Sequence, residues 1–189
     1  MSDVAAAVQA ALDGDAPIPR DLAVRWCQCA DDVRSLALLY RLTGEGYDRI
    51  QPPLGQQETC RLIQRYLLTC LRLNPQDGSS FNRYEAAWTL RGWFQHLSRL
   101  ADDCTQVLRD AASAVRQLYL ESEAEVRTAI ETGFLEHVLE DEEFRPLFAD
   151  WAQDDRLREA WQAALAWGEA HPGFTRRLAS RQPGGEPGE

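Results

Sequence analysis

Arg83 to Leu120, RYEAAWTLRGWFQHLSRLADDCTQVLRDAASAVRQLYL, carries the pattern on which the fold turns. Apolar residues fall at Ala87, Leu90, Phe94, Leu97, Ala101, Cys104, Leu108, Ala111, Val115 and Leu118, alternating steps of three and four. A second row, Ala86, Trp93, Leu100, Val107 and Ala114, lies one position earlier and widens the stripe. Three apolar columns in seven form a face that other helices must cover, broader than a two-stranded coiled-coil seam. The other columns hold Gln95, His96, Arg99, Asp102, Asp103, Gln106 and Arg109, with Trp88 the one large exception. No proline lies between Pro75 and Pro146, and no glycine between Gly92 and Gly133. The stretch therefore predicts one central helix, roughly 83–120 and about 57 Å long, with a kink possible at Gly92 or a tight turn at Asp102-Asp103.

Outward from this helix, the same reasoning gives an all-α, single-domain bundle of about six to eight helices. Ser2 is the expected cap of a first helix ended by Gly14, and Asp21 opens a second that runs to Thr43, with a break at Ala30-Asp31-Asp32. Gly44 to Gly55 reads as a loop, and Gln56 to Leu73 as a helix stopped by Asn74-Pro75. Asn82 with Glu85 forms a capping box, as does Ser122 with Glu125. Beyond it Val126, Ile130, Phe134 and Val138 repeat every four residues. Phe144, Leu147, Phe148 and Trp151 suit a short helix, and Asp154 or Asp155 caps a last one ended by Gly168 or Pro172. No segment alternates with period two, so no strand is expected. Residues 1–173 form the helical domain, and 174–189, rich in Gly, Pro and Glu, a flexible tail.

Asp32-Val33-Arg34-Ser35-Leu36-Ala37 resembles Glu125-Val126-Arg127-Thr128-Ala129-Ile130. Acid-Val-Arg before an apolar helix looks like the second helix of a HEAT repeat, which would give the bundle a weak HEAT-like solenoid character. The middle copy expected near Ser80 is poor, so nothing is carried over from that family.

The chain has 20 basic residues, all Arg, against 30 acidic ones, a net charge of −10. Arg without Lys, in an Ala-rich chain, reads as the coding bias of a GC-rich bacterial genome. The negative balance disfavours nucleic acid and anionic membranes, because phosphate neutralisation supplies most of such affinity. No apolar run approaches the ~20 residues that span a bilayer, and Met1-Ser2-Asp3 lacks the basic flank of a signal peptide. Together with five cysteines read as reduced and buried, this points to a cytoplasmic protein.

The residues assign no catalytic group, cofactor or metal. Three positions before His96, His137 and His171 stand Trp93, Phe134 and Gly168, so the Glu-x-x-His of a di-iron bundle is absent. His137 with Glu140 or Asp141 would place one imidazole and one carboxylate on a helix face, two ligands short of a site. Cys27 and Cys29 lie roughly 200° apart around a helix and cannot close on one ion. No nucleophile elbow or phosphate-cradling Gly-rich loop occurs.

Charge is the strongest signal outside the core. Between Glu121 and Asp155 twelve acids face only Arg127 and Arg145, which puts −10 on that segment alone. Solvation and helix capping account for most of these acids. A surface that docks a basic protein accounts for the rest. The expected contacts are Glu136, Glu140, Asp141, Glu142, Glu143 and Asp150, with Trp88 as an exposed anchor unless the loop 47–54 covers it. On this reading, neutralising residues 140–143 leaves the fold intact, with Asp141 excepted as the cap of the helix that holds Phe144 and Trp151, worth about 1 kcal/mol. The expected function is a non-catalytic interaction module of inhibitor or immunity type, neutralising a basic toxin or nuclease. The alternative is an enzyme or small-molecule-binding bundle with a pocket of Trp and Tyr residues and carboxylates such as Glu85 or Glu136.

Overall fold

Asp3 opens the first helix: its carboxylate accepts from the Ala6 amide, and α1 follows as Val4–Asp13. The computed structural model describes residues 3–100, 104–171 and 173, so the expected cap Ser2 and the tail 174–189 lie outside the described residues. α2 (Arg20–Cys29) and α3 (Val33–Glu45) are separated at the expected break, where Asp32 accepts from the Ser35 amide at 2.9 Å. The loop that follows is not wholly irregular. β2 (Ile50–Gln51) pairs in parallel with β1 (Ile18–Pro19), Ile18 opposite Ile50, and both isoleucines are buried. Two residues are too few to show alternation, which is why no strand was legible.

α4 (Gln56–Leu73) ends where Asn74 takes a left-handed conformation, φ 50°. The capping box that opens α5 (Arg83–Arg99) is made in full: Asn82 accepts from the amides of Tyr84 and Glu85, and Glu85 from that of Asn82.

The single long helix is not formed. α5 stops at Arg99, Leu100 turns to extended backbone (φ −80°, ψ 147°), and α6 begins anew as Thr105–Glu121. The turn expected at Asp102-Asp103 falls on 101–103, outside the described residues. Side-chain pairs show that the chain reverses. Arg83 donates to the carbonyls of Leu71 and Arg72, so α5 starts at the end of α4. Cys104 accepts from Gln56 at the start of α4, and Glu121 pairs with Arg72 back at its end. α5 and α6 are thus an antiparallel hairpin. The three-four rows continue through the turn, so periodicity alone could not reveal it. Size decides against the rod: a globular chain of this length has a radius of gyration of about 16 Å, and a helix of about 57 Å would leave much of its stripe in water. Folding back buries Leu90, Phe94, Leu97, Leu108, Val115 and Leu118 together.

The remainder is α7 (Ala124–Ile130), a π-helical turn (Glu131–Leu135), α8 (Glu136–Val138), a 3-10 segment (Glu142–Gln153) and α9 (Arg158–Ala170). The second expected capping box is absent. Glu123, not Ser122, precedes α7, and Glu125 pairs with Arg83 at 3.3 Å. Asp154, as expected, caps the turn that leads into the last helix: its carboxylate accepts from the Arg156 amide at 3.0 Å and its carbonyl from the Arg158 amide at 2.9 Å. Phe94 lies at the centre of the core, 5.2–6.2 Å by ring centroids from Phe134, Phe144, Phe148 and Trp93. The helices close around α5 as a bundle. Among the described residues no helix is long and apolar enough to cross a membrane.

Candidate functional site

The row Val126, Ile130, Phe134, Val138 steps by four, and on an α-helix of 3.6 residues per turn it drifts by about 40° per step. The wider π turn absorbs that drift, so that all four side chains, with Leu135 and Leu139, are buried. Such turns recur where a helix is re-aimed at a functional site. Here it lays the stretch 133–143 along the side of α5 that the sequence marks as wet.

The two stretches run in parallel and meet in order. A Cβ on Gly133 would lie 2.8 Å from that of Ala87, so only glycine allows the helices this close. One turn on, the His137 ring stacks on Trp88 at 4.4 Å and 24°. Arg91 Nε donates to the His137 carbonyl at 3.4 Å, and Gln95 Nε2 to Asp141 Oδ2 at 2.8 Å. Ser98 Oγ closes the seam, 3.4 Å from Glu143 Oε1.

α9 covers the other side of His137. Trp167 meets the imidazole edge-on at 4.7 Å and itself stacks on His171 at 4.4 Å. The close approach again depends on glycine, since a Cβ on Gly168 would lie 2.9 Å from the backbone of Leu139 and Glu140. His137 Nδ1 is 3.0 Å from Glu140 Oε1, and Arg91 Nη2 is 3.6 Å from Asp141 Oδ2. All four of these ionisable groups are buried. They form an internal polar network that fixes how 133–143 sits on α5.

This changes the status of the expected contacts. Glu140 and Asp141 are removed from the docking surface, because the buried His137 and Arg91 draw them inward. Their burial sets these two apart from Glu142 and Glu143, which the sequence grouped with them. Asp141 does not use its side chain as a cap; its backbone carbonyl accepts from the Phe144 amide instead. Glu142 and Glu143 are exposed. Glu136 is half-buried, and its pKa is raised by burial and by neighbouring Glu131, against the pull of His137 and His171. Asp150 is exposed but turned to another helix, 3.2 Å from Arg116 Nε on α6. Trp88 keeps 38% of its surface exposed. The loop expected to cover it is anchored elsewhere, with Arg49 donating to the carbonyls of Ala11 and Ala16. The structure thus places Trp88 and Glu143 on one seam, carries Glu136 and Glu142 on the stretch that packs against it, and turns Asp150 to α6.

Arg91, Gln95 and Trp167 are the members that sequence reasoning missed. No local signal points to them, because they meet the stretch 133–143 only through the fold.

The thiols are only partly as expected: Cys60, Cys70 and Cys104 are buried, Cys27 is half-buried and Cys29 exposed. Burial, reinforced by Glu58, raises Cys27 to about 11, and burial raises Cys70 likewise, so neither is a thiolate at neutral pH. Among the described residues no three His, Cys, Asp or Glu side chains are grouped to hold a metal ion.

No protein-family model, curated protein or solved structure matches the chain.

Proposed function

We propose that this protein is a non-catalytic interaction module, of inhibitor or immunity type, that docks a basic protein partner along the α5 seam. The observation that carries the reading is how the acids are sorted. Glu140 and Asp141 are buried against His137 and Arg91, while Glu142 and Glu143 stand in solvent beside them. Arg145 sits 3.9 Å from Glu142, a contact too long and too exposed to hold that charge. An uncompensated field of one sign accelerates encounter with the opposite sign. Trp88 supplies the apolar anchor. Its stack on the buried His137 fixes its rotamer before binding, which lowers the entropy lost on docking. A partner's Arg or Lys over the exposed indole gains a cation–π contact of about 0.5–2 kcal/mol.

The test uses wild type and a Glu142→Gln/Glu143→Gln variant to capture partners from the source organism, then measures association with the captured protein. Steering acts on the encounter, so the variant should associate about tenfold more slowly at low salt. The gap should close as the Debye length falls below about 8 Å. Trp88→Ala should instead speed dissociation. Equal association rates at low salt would remove the reading.

A further inference from the structure

We propose that the cleft between α3, α4 and the 74–82 loop binds a neutral, polyhydroxylated small molecule, with a single sugar ring as the unit recognised. This goes beyond the docking role and shares no residue with the acidic seam.

The cleft is built by the way α4 ends. Asn74, in its left-handed conformation, and Pro75 turn the chain out. The capping box at Asn82 brings it back. The loop between is pinned at several points. The Phe81 amide donates to the Tyr66 hydroxyl, the Arg83 amide to Asn74 Oδ1, and the Ser79 amide to Asp77 Oδ1, each at 3.0 Å. The cleft is half open and its volume is about 460 Å³, within the range of about 300–1,000 Å³ usual for small-molecule sites.

Chemistry narrows the occupant. Tyr40, Tyr66 and Phe81 form one wall, with ring centroids 4.9–5.5 Å apart. Rings packed against each other leave no room for an ammonium among them, so this is not a cation cage. Arg41 and Glu85 set one charge of each sign at the rim. An ion of either sign therefore meets a like charge as well as an opposite one. Among the described residues the Ser80 hydroxyl is buried with no hydrogen-bond partner, and the Tyr40 hydroxyl and the Asn82 side chain line the same space. Two hydroxyls that donate and accept, with one amide donor, match a ligand carrying several hydroxyls. Its C–H face would lie against the aromatic wall. A planar base would use the wall but leave most of those groups unmatched, at a cost in affinity.

The experiment is an amide-shift titration of the isotope-labelled full chain with neutral mono- and disaccharides, and with adenosine and glucose 6-phosphate as controls. The expected result is saturable shifts confined to residues 37–41, 66 and 75–85, with a Kd on the order of 1 mM. The Tyr40→Phe/Ser80→Ala variant keeps the wall and the fold. It should melt like wild type and bind about tenfold more weakly. No saturable shift with any sugar, an equal or stronger response to adenosine or the phosphate, or unchanged affinity in the variant would each overturn the proposal.

Discussion

Replacing Asp141 by Asn removes the carboxylate that accepts from Gln95 and faces Arg91 inside the protein. Breaking a buried charge pair costs about 3–5 kcal/mol, whereas Glu142→Gln, at an exposed neighbour, should stay within about 0.5 kcal/mol. Denaturant melts of the two variants check whether adjacent acids really do separate jobs. Phe94→Ala, at the meeting point of four aromatic rings, should cost about 3–5 kcal/mol through the cavity it opens; a loss under about 1 kcal/mol would mean the core lies elsewhere. For Glu136, burial raises the folded pKa above the unfolded value, so the folded state binds its proton more tightly. Stability is therefore lost as pH rises through the interval between the two. Glu136→Gln should be more stable than wild type at neutral pH, with the advantage gone near about pH 4. An advantage that does not change with pH would contradict this. At this scale the sequence marked Phe94 as core correctly, but it could not separate Glu140 and Asp141 from Glu142. All three are carboxylates, and only the buried Arg91 and His137 distinguish them.

Among elements, the α5–α6 hairpin is the clearest departure from what the pattern implied. Spin labels replacing Tyr84 and Glu121 test it, because both positions lie near the end of α4 in the hairpin. Their separation should be under about 20 Å, against about 55 Å along one continuous helix. Element starts fixed by local chemistry were legible: Asn82 with Glu85, Asp32 before α3, and the stop at Asn74-Pro75 all behave as written. The row stepping by four marked a helix there but not its π turn, which depends on the neighbour it must fit. Gly133 shows why. Its missing Cβ is what lets that turn approach Ala87, and nothing local requires a glycine there.

For the whole molecule, a net charge of −10 sets self-repulsion against exposed ion pairs such as Arg41–Glu45 and Arg158–Asp155. Exposed pairs contribute about 0–1 kcal/mol each and are screened along with the repulsion. With ten charges unbalanced the repulsion is the larger effect, so the melting temperature should rise as salt is added from low ionic strength to about 0.15 M. A fall would mean the ion pairs dominate.

By itself the sequence determined that this protein is helical, which faces of its helices are apolar, where α5 is capped and where the acids concentrate. Those properties depend on residues three or four apart, whose spacing is set by the helix itself. The tertiary structure decided that α5 folds back on α6, that residues 133–143 cover the polar side of α5, and that Glu140 and Asp141 lie inside. Each of these outcomes depends on partners far along the chain, Gln56 with Cys104 or Arg91 with Asp141. Periodicity describes a face without naming what covers it. What covers it is settled by the space the whole chain must share.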